Sequence, residues 1–216
     1  MEARDPGKSR WDRTLKWPIK AQSRWLAIAS GRIDLLQKPL ASVPIILVLC
    51  RGRFPEHVTQ FWSDVDPKQI TEDIISTLEA QRYFNPTLIQ GVWTHGVTIA
   101  GFGILRLGML SQRWNVPVVS ITDEIPKNEL IQETLLKNLS DGPMRVGDFL
   151  SNDTIPTNIK SLDPNCNIWL APYNIGLKQA LQCLKQQQLQ GCLPEALRLA
   201  QIIARSIIFP RTGDEN

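Results

Sequence analysis

The chain has 216 residues and a formal net charge of +3, with 24 Lys plus Arg, 21 Asp plus Glu and two His; 43% of it is hydrophobic and 21% charged. That is the composition of a globular protein of one domain, and it excludes a disordered chain, collagen and a coiled coil. So small a charge declares neither a nucleic-acid nor a membrane partner.

Residues 1–24 are read as a basic extension, and the first stretch carries Arg4, Lys8, Arg10, Arg13, Lys16, Lys20, Arg24 and Arg32 with Trp11, Trp17 and Trp25 interleaved. Such a composition suits a single-strand-binding arm, and it equally suits a terminus whose tryptophans dock on the body. Val43 to Cys50 is a continuous apolar, β-branched run and is expected to be a buried strand. His57 to Ser63 alternates and is expected to lie beside it. Asp66-Pro67 opens a segment with Ile70, Ile74, Ile75, Leu78 and Tyr83 at helical spacing, Pro67 standing in the first turn. Thr87 to Trp93 reads as a strand, Gly103 to Trp114 as a helix, Val116 to Thr122 as a strand and Pro126 to Leu139 as a helix. Ser140 to Asn165 shows no sustained period and reads as a long connection. Asn167 to Tyr173 is a strand, Ile175 to Gln188 a helix, and Leu193 to Ile208 a last helix with Leu197, Ala200, Ile203, Ala204 and Ile207 in its apolar stripe. Strands alternating with helices predict an α/β fold around a central sheet, with a single domain over 25–209 and a tail over 210–216.

Cys50, Cys166, Cys183 and Cys192 form no C-x-x-C pair. Neither a zinc knuckle nor a disulfide framework is expected, and all four are read as reduced packing residues. The longest purely apolar run, Pro44 to Cys50, falls far short of the roughly 20 residues that span a bilayer, and no signal-peptide pattern opens the sequence. A cytoplasmic protein without membrane contact is expected.

Gly91 to Gly103, GVWTHGVTIAGFG, leads a strand into a Gly-rich connection. Ligands in open α/β sheets bind at such strand ends, where glycines let the backbone approach them closely. The spacing is neither that of a dinucleotide fingerprint nor that of a P-loop.

The longer stretch LIQGVWTHGVTIAGFGILRLGMLSQRWNVPVVSI, Leu88 to Ile121, resembles the signature of the endonuclease dU family, relatives of endonuclease V. In that family an Asp-Gly pair ends a strand and continues as G-I/V-x-x-A-G-F. Cys50-Arg51-Gly52 with SDVDPKQITEDI at Ser63 to Ile74, and GCLPEALRLAQIIA at Gly191 to Ala204, resemble two further family patches in the same order. The resemblance covers about Leu26 to Ile208. It implies a ribonuclease H-like fold, a mixed sheet flanked by helices. It also implies hydrolysis of a phosphodiester beside a deaminated base, with Mg²⁺ or Mn²⁺ held by carboxylates from different strands.

Several positions depart from the resembled pattern. Ala29-Ser30 stand where the family ends its first strand in Asp-Asp, His95 where it has Asp, and Gln201 where it has His. Asp64 and Asp66 remain as candidate metal ligands and catalytic acids, with Asp123 and Glu124 placed to join them. Asp66 before Pro67 equally suits a helix cap. His95 is a candidate base or a ligand for a softer metal, and equally a histidine hydrogen-bonded at a strand end. For nucleic acid the candidates are Arg51, Arg53, Trp93, Gly96 and Arg106, the arginines gripping phosphate and the tryptophan stacking on an extruded base. Arg113 reads as solvated.

On this reading the chain is a nuclease relative that binds single-stranded or deaminated DNA with its metal site eroded, a pseudoenzyme with a link to DNA repair. Two other readings stand beside it: an active metal-dependent endonuclease using Asp64, Asp66 and another acid, and a protein-interaction module. No oligomeric state follows from the sequence.

Overall fold

The computed structural model describes residues 20–31, 33, 42–125, 127–160 and 166–207. Most of the basic Trp-containing extension and the tail over 210–216 lie outside these residues. In chain order the elements are β1 (Arg24–Ser30), β2 (Ser42–Arg51), β3 (Phe54–Asp64), α1 (Ile70–Glu79), β4 (Ile89–His95), β5 (Thr98–Ile99), β6 (Gly103–Ile104) and α2 (Leu107–Trp114). They continue as β7 (Val118–Thr122), α3 (Asn128–Asn138), α4 (Gly142–Ser151), β8 (Thr157–Lys160), β9 (Asn167–Tyr173), α5 (Leu177–Gln187) and α6 (Glu195–Ser206).

Seven strands form one sheet in the order β3-β2-β1-β4-β7-β9-β8, and β5 and β6 form a separate two-stranded ribbon. β1, β4 and β7 run parallel, while β2, β3, β9 and β8 run antiparallel to their neighbours. β1 lies between β2 and β4 with helices packed on both faces of the sheet, and Trp25 to Ala29 are all buried. Such strands must be apolar on successive residues rather than alternately, as β1 and β2 are. β3 is an edge strand and is mostly exposed, which its alternation of polar and apolar residues permits.

Two cores cover the two faces. Leu26, Ile28, Ile45, Leu47, Val92 and Val118 pack beneath Ile70, Ile74 and Leu78 of α1 and Leu107 and Leu110 of α2. On the other face Trp25, Ala27, Ala29, Trp93 and Val119 pack with α5 and with Ala196, Leu197, Ala200 and Ala204 of α6. The alanines of α6 are small enough to bring its axis close over β1 and β2. Trp25 stacks on Trp93 with ring centroids 4.4 Å apart, directly above Gly91, where any Cβ would meet the Trp25 ring at 2.3 Å. Among the described residues no helix is long and apolar enough to cross a membrane.

Three expectations are corrected. The helix expected from Gly103 begins only at Leu107, because Gly103–Ile104 pair with Thr98–Ile99 in the ribbon. The connection expected over Ser140 to Asn165 contains α4 and β8. The helix leaves no apolar period in the sequence because the inward face of α4 includes Arg145, a charged residue that is only 3% exposed. The cysteines are not all reduced: Cys166 and Cys192 form a disulfide that ties the start of β9 to the turn before α6, while Cys50 and Cys183 are free and buried.

Candidate functional site

Because β1, β4 and β7 are parallel, their carboxyl ends gather at one edge of the sheet, with Ile28 opposite Thr94 and His95 opposite Ile121. A cavity of about 150 Å³ opens there, lined by Ala29, Ser30, His95, Thr98, Gln201 and Arg205 among others. It brings together Ala29, Ser30, His95 and Gln201, the positions that depart from the resembled pattern, from three separate elements. Arg205 was not singled out from the sequence. The available signal was its spacing, four residues after Gln201 and so on the same face of α6.

The chemistry of this lining is neutral to cationic. Ser30 Oγ accepts the Ala100 N–H at 3.3 Å. His95 Nε2 lies 3.7 Å from Asp123 Oδ2, beyond hydrogen-bond reach, and is enclosed without a hydrogen-bond partner among the described residues. Burial pushes the His95 imidazole below its usual range; the Asp123 carboxylate opposes this and the Arg205 charge adds to it. No carboxylate of the described residues lines the cavity. Mg²⁺ requires several oxygen ligands, and a site offering one hydroxyl, one amide, one imidazole and a guanidinium does not fit it. Among the described residues no three His, Cys, Asp or Glu side chains come together as metal ligands.

The acids retained from the resembled pattern do other work. Asp66 does not cap α1, whose N-cap is Gln69 without a side-chain hydrogen bond. It adopts a left-handed φ of 55°, and its Oδ1 accepts the Phe102 N–H at 2.6 Å while its own N–H donates to the Ala100 carbonyl at 2.8 Å. Asp66 thus holds the turn that follows β5. Asp64 lines an open groove with Asp66 and Asp73, and the Asp73 carboxyl is raised by burial and by the Asp64 charge.

Most of the residues expected to contact nucleic acid lie elsewhere. Trp93 is fully buried, stacked on Trp25, and its Nε1–H donates to Gln187 Oε1 at 2.8 Å, so no ring face is open to a base. Arg51 faces Arg24, at the start of β1 and thus at the opposite end of the strand from Ser30. Arg51 pairs with Glu56 at 3.3 Å, and Arg53 Nε donates to the Gln186 carbonyl at 3.0 Å. Arg106 pairs with Glu72, and Arg113 with Glu79. Gly96, with a φ of 74°, is the one of this group at the cavity edge of the sheet, in the turn directly after His95.

On the other side of that turn lies a second cavity of about 340 Å³, which shares Thr98 with the first. Phe149 and Trp169 supply apolar walls and Asn128 and Asp153 polar groups, while the Asn152 amide accepts the Leu107 N–H at 2.8 Å and donates to the Leu105 carbonyl at 3.0 Å.

Strand order, the three parallel strands and helices on both faces define a ribonuclease H-like α/β protein. More particularly, the chain belongs to the Endonuclease dU family, whose sequence profile it matches over residues 21–208. It is 25% identical over 199 residues to a UPF0215 protein of Thermococcus sibiricus, a match covering 91% of this chain and 98% of that one. A protein of unknown function from Archaeoglobus fulgidus superposes with a TM-score of 0.70 at 18% identity, over 84% of this chain and 95% of that chain. Endonuclease V of Ciona intestinalis, solved with a 24mer DNA containing an inosine followed by a ribo-adenosine, superposes with a TM-score of 0.51 at 11% identity, over 82% of each chain.

Proposed function

We propose that this chain binds nucleic acid at the carboxyl ends of β1, β4 and β7 and has lost the metal-dependent hydrolysis expected of its family. The observation that carries this reading is the lining of the first cavity, where Ala29, Ser30, His95 and Gln201 replace the acids and histidine of the resembled pattern and Arg205 adds a positive charge. Without carboxylates no divalent cation is held to lower the pKa of an attacking water. The ancestry supports a nucleic-acid partner, since a relative of the same fold is solved with DNA. The second cavity suits an extruded, deaminated base, with Phe149 and Trp169 as apolar walls and the Asn128 side chain close by.

The test is to incubate the protein with Mg²⁺ or Mn²⁺ and labelled single-stranded DNA carrying one uracil or hypoxanthine, scoring band shift and nicking in the same samples. Salt-sensitive binding without nicking is expected. Metal-dependent nicking that persists through purification and disappears in Asp66→Asn would restore the active reading.

A further inference from the structure

We infer that the cavity between Ser30, His95, Gln201 and Arg205 holds a phosphate group directly, with protein cations in the place of a metal ion. The inference rests on the nucleic-acid reading above and specifies which chemistry of the ligand that site grips.

A metal in a nuclease site lies between two negative partners, the carboxylates of the protein and the phosphate of the substrate. When the carboxylates are removed the cation loses its seat, yet the phosphate still requires positive charge and hydrogen-bond donors. This cavity supplies both. Arg205 brings a permanently charged guanidinium, whose fork of N–H groups matches phosphate oxygens. His95 lines the cavity, and its Nε2, 3.7 Å from Asp123 Oδ2, makes no hydrogen bond among the described residues, so the imidazole has a donor left for an anion. Ser30 Oγ already accepts from Ala100 N, which leaves its own O–H to donate. The Gln201 amide stands one helical turn from Arg205 and offers further N–H groups. A volume of about 150 Å³ suits one tetrahedral anion rather than a nucleoside. The charged groups acting on His95 are Arg205 from α6 and the Asp123 carboxylate beyond β7; Asp123 is largely exposed and does not line the cavity.

The test uses the full chain in EDTA and inorganic phosphate as the probe, at constant ionic strength. With two histidines in the sequence, the imidazole resonances are assigned by one His57→Gln variant. Phosphate is expected to shift the His95 resonances saturably and leave those of His57 in place. Arg205→Gln, a change at an exposed helix end, is expected to weaken that affinity about tenfold. Single-stranded DNA should likewise bind equally well in EDTA and in Mg²⁺, and about tenfold more weakly to Arg205→Gln. An unmoved His95, a shift that requires Mg²⁺, or an Arg205→Gln affinity equal to that of the unaltered chain overturns the inference. If DNA binds while phosphate leaves His95 unmoved, the nucleic-acid reading stands and the inference falls. If phosphate binds but DNA does not, the nucleic-acid reading falls and the phosphate site survives.

Discussion

Arg145 Nη2 donates to the carbonyl of Asp66 at 2.7 Å across 79 residues of sequence, in a place where Arg145 is almost wholly buried. Its Nη1 donates to the carbonyls of Pro67 at 3.0 Å and Phe102 at 2.8 Å, and its Nε lies 3.1 Å from Asp141. One guanidinium therefore ties α4 to the loop before α1 and to the ribbon beside the cavity.

Replacing Arg145 with Met strands those carbonyls away from water, and a loss of about 3 kcal/mol in folding stability is expected. Arg145→Lys should recover less than half of that loss, because an ammonium cannot span the same acceptors. Urea denaturation of both variants measures this, and a Lys variant as stable as the unaltered chain would refute the fork geometry.

Gly101 has a φ of 89°, and a Cβ there would sit 2.2 Å from Asp66 Oδ1. Gly101→Ala is expected to destabilise by roughly 1–3 kcal/mol, as strained backbone does, with the carboxylate displaced as well. Gly96→Ala is the comparison: its φ of 74° is also unfavourable, but a Cβ there would meet the Thr122 methyl only at an ordinary 3.6 Å, so it should lose less. Equal losses would show that the Asp66 contact contributes nothing.

How far these contacts are legible in the sequence depends on the signal each residue carries. The β2 run and the stripe of α6 are apolar where they are buried, so periodicity locates them well. The first cavity was also within reach, since the departures at Ala29, Ser30, His95 and Gln201 stand out against the resembled pattern. Arg145 could not be seen, because a buried charge satisfied by backbone carbonyls has the same letter as a solvated one. Asp66 misled for a related reason: an Asp before Pro suits a cap, and only the fold places the Phe102 N–H within its reach. Trp93 was expected at a ligand, whereas the glycine two residues before it makes room for the Trp25 ring that covers it.

His95 gives a pH test with a definite sign. Burial, the larger effect, and the Arg205 charge hold its folded-state pKa below the unfolded value of about 6.5, against the pull of Asp123. The unfolded chain therefore takes up the proton first, and the stability contributed by this group is complete above about pH 6.5 and declines as pH falls below it. His95→Gln should show a shallower decline over that interval in denaturation series, and an identical slope would disprove the assignment.

The cysteines predict a thiol count. Burial pushes the thiols of Cys50 and Cys183 up to about 12 each, so a thiol reagent should find none in the folded oxidised protein and two after denaturation. Reducing the Cys166–Cys192 bond, which spans 26 residues, should lower stability by about 3 kcal/mol. Four reactive thiols in the denatured, unreduced protein would contradict the bridge.

Restoring acids tests the metal argument from the other side. An Ala29→Asp, His95→Asp double variant should be less stable than the parent without metal, because it sets two like charges side by side, one of them at the buried position of Ala29. It should regain stability on addition of Mn²⁺, whereas the parent should not respond. Calorimetric melts with and without Mn²⁺ distinguish the two, and a parent that responds as strongly as the variant would defeat the premise.

The paired indoles of Trp25 and Trp93 carry an optical consequence. Chromophores stacked at 4.4 Å couple their electronic transitions, so the folded chain should show a split circular-dichroism band of excitonic origin from this pair, lost in Trp25→Phe. The two rings bridge β1 and β4, the strands that end at Ser30 and His95. That band is a built-in spectroscopic gauge of how firmly those two strands are held together while a ligand occupies the cavity at their ends.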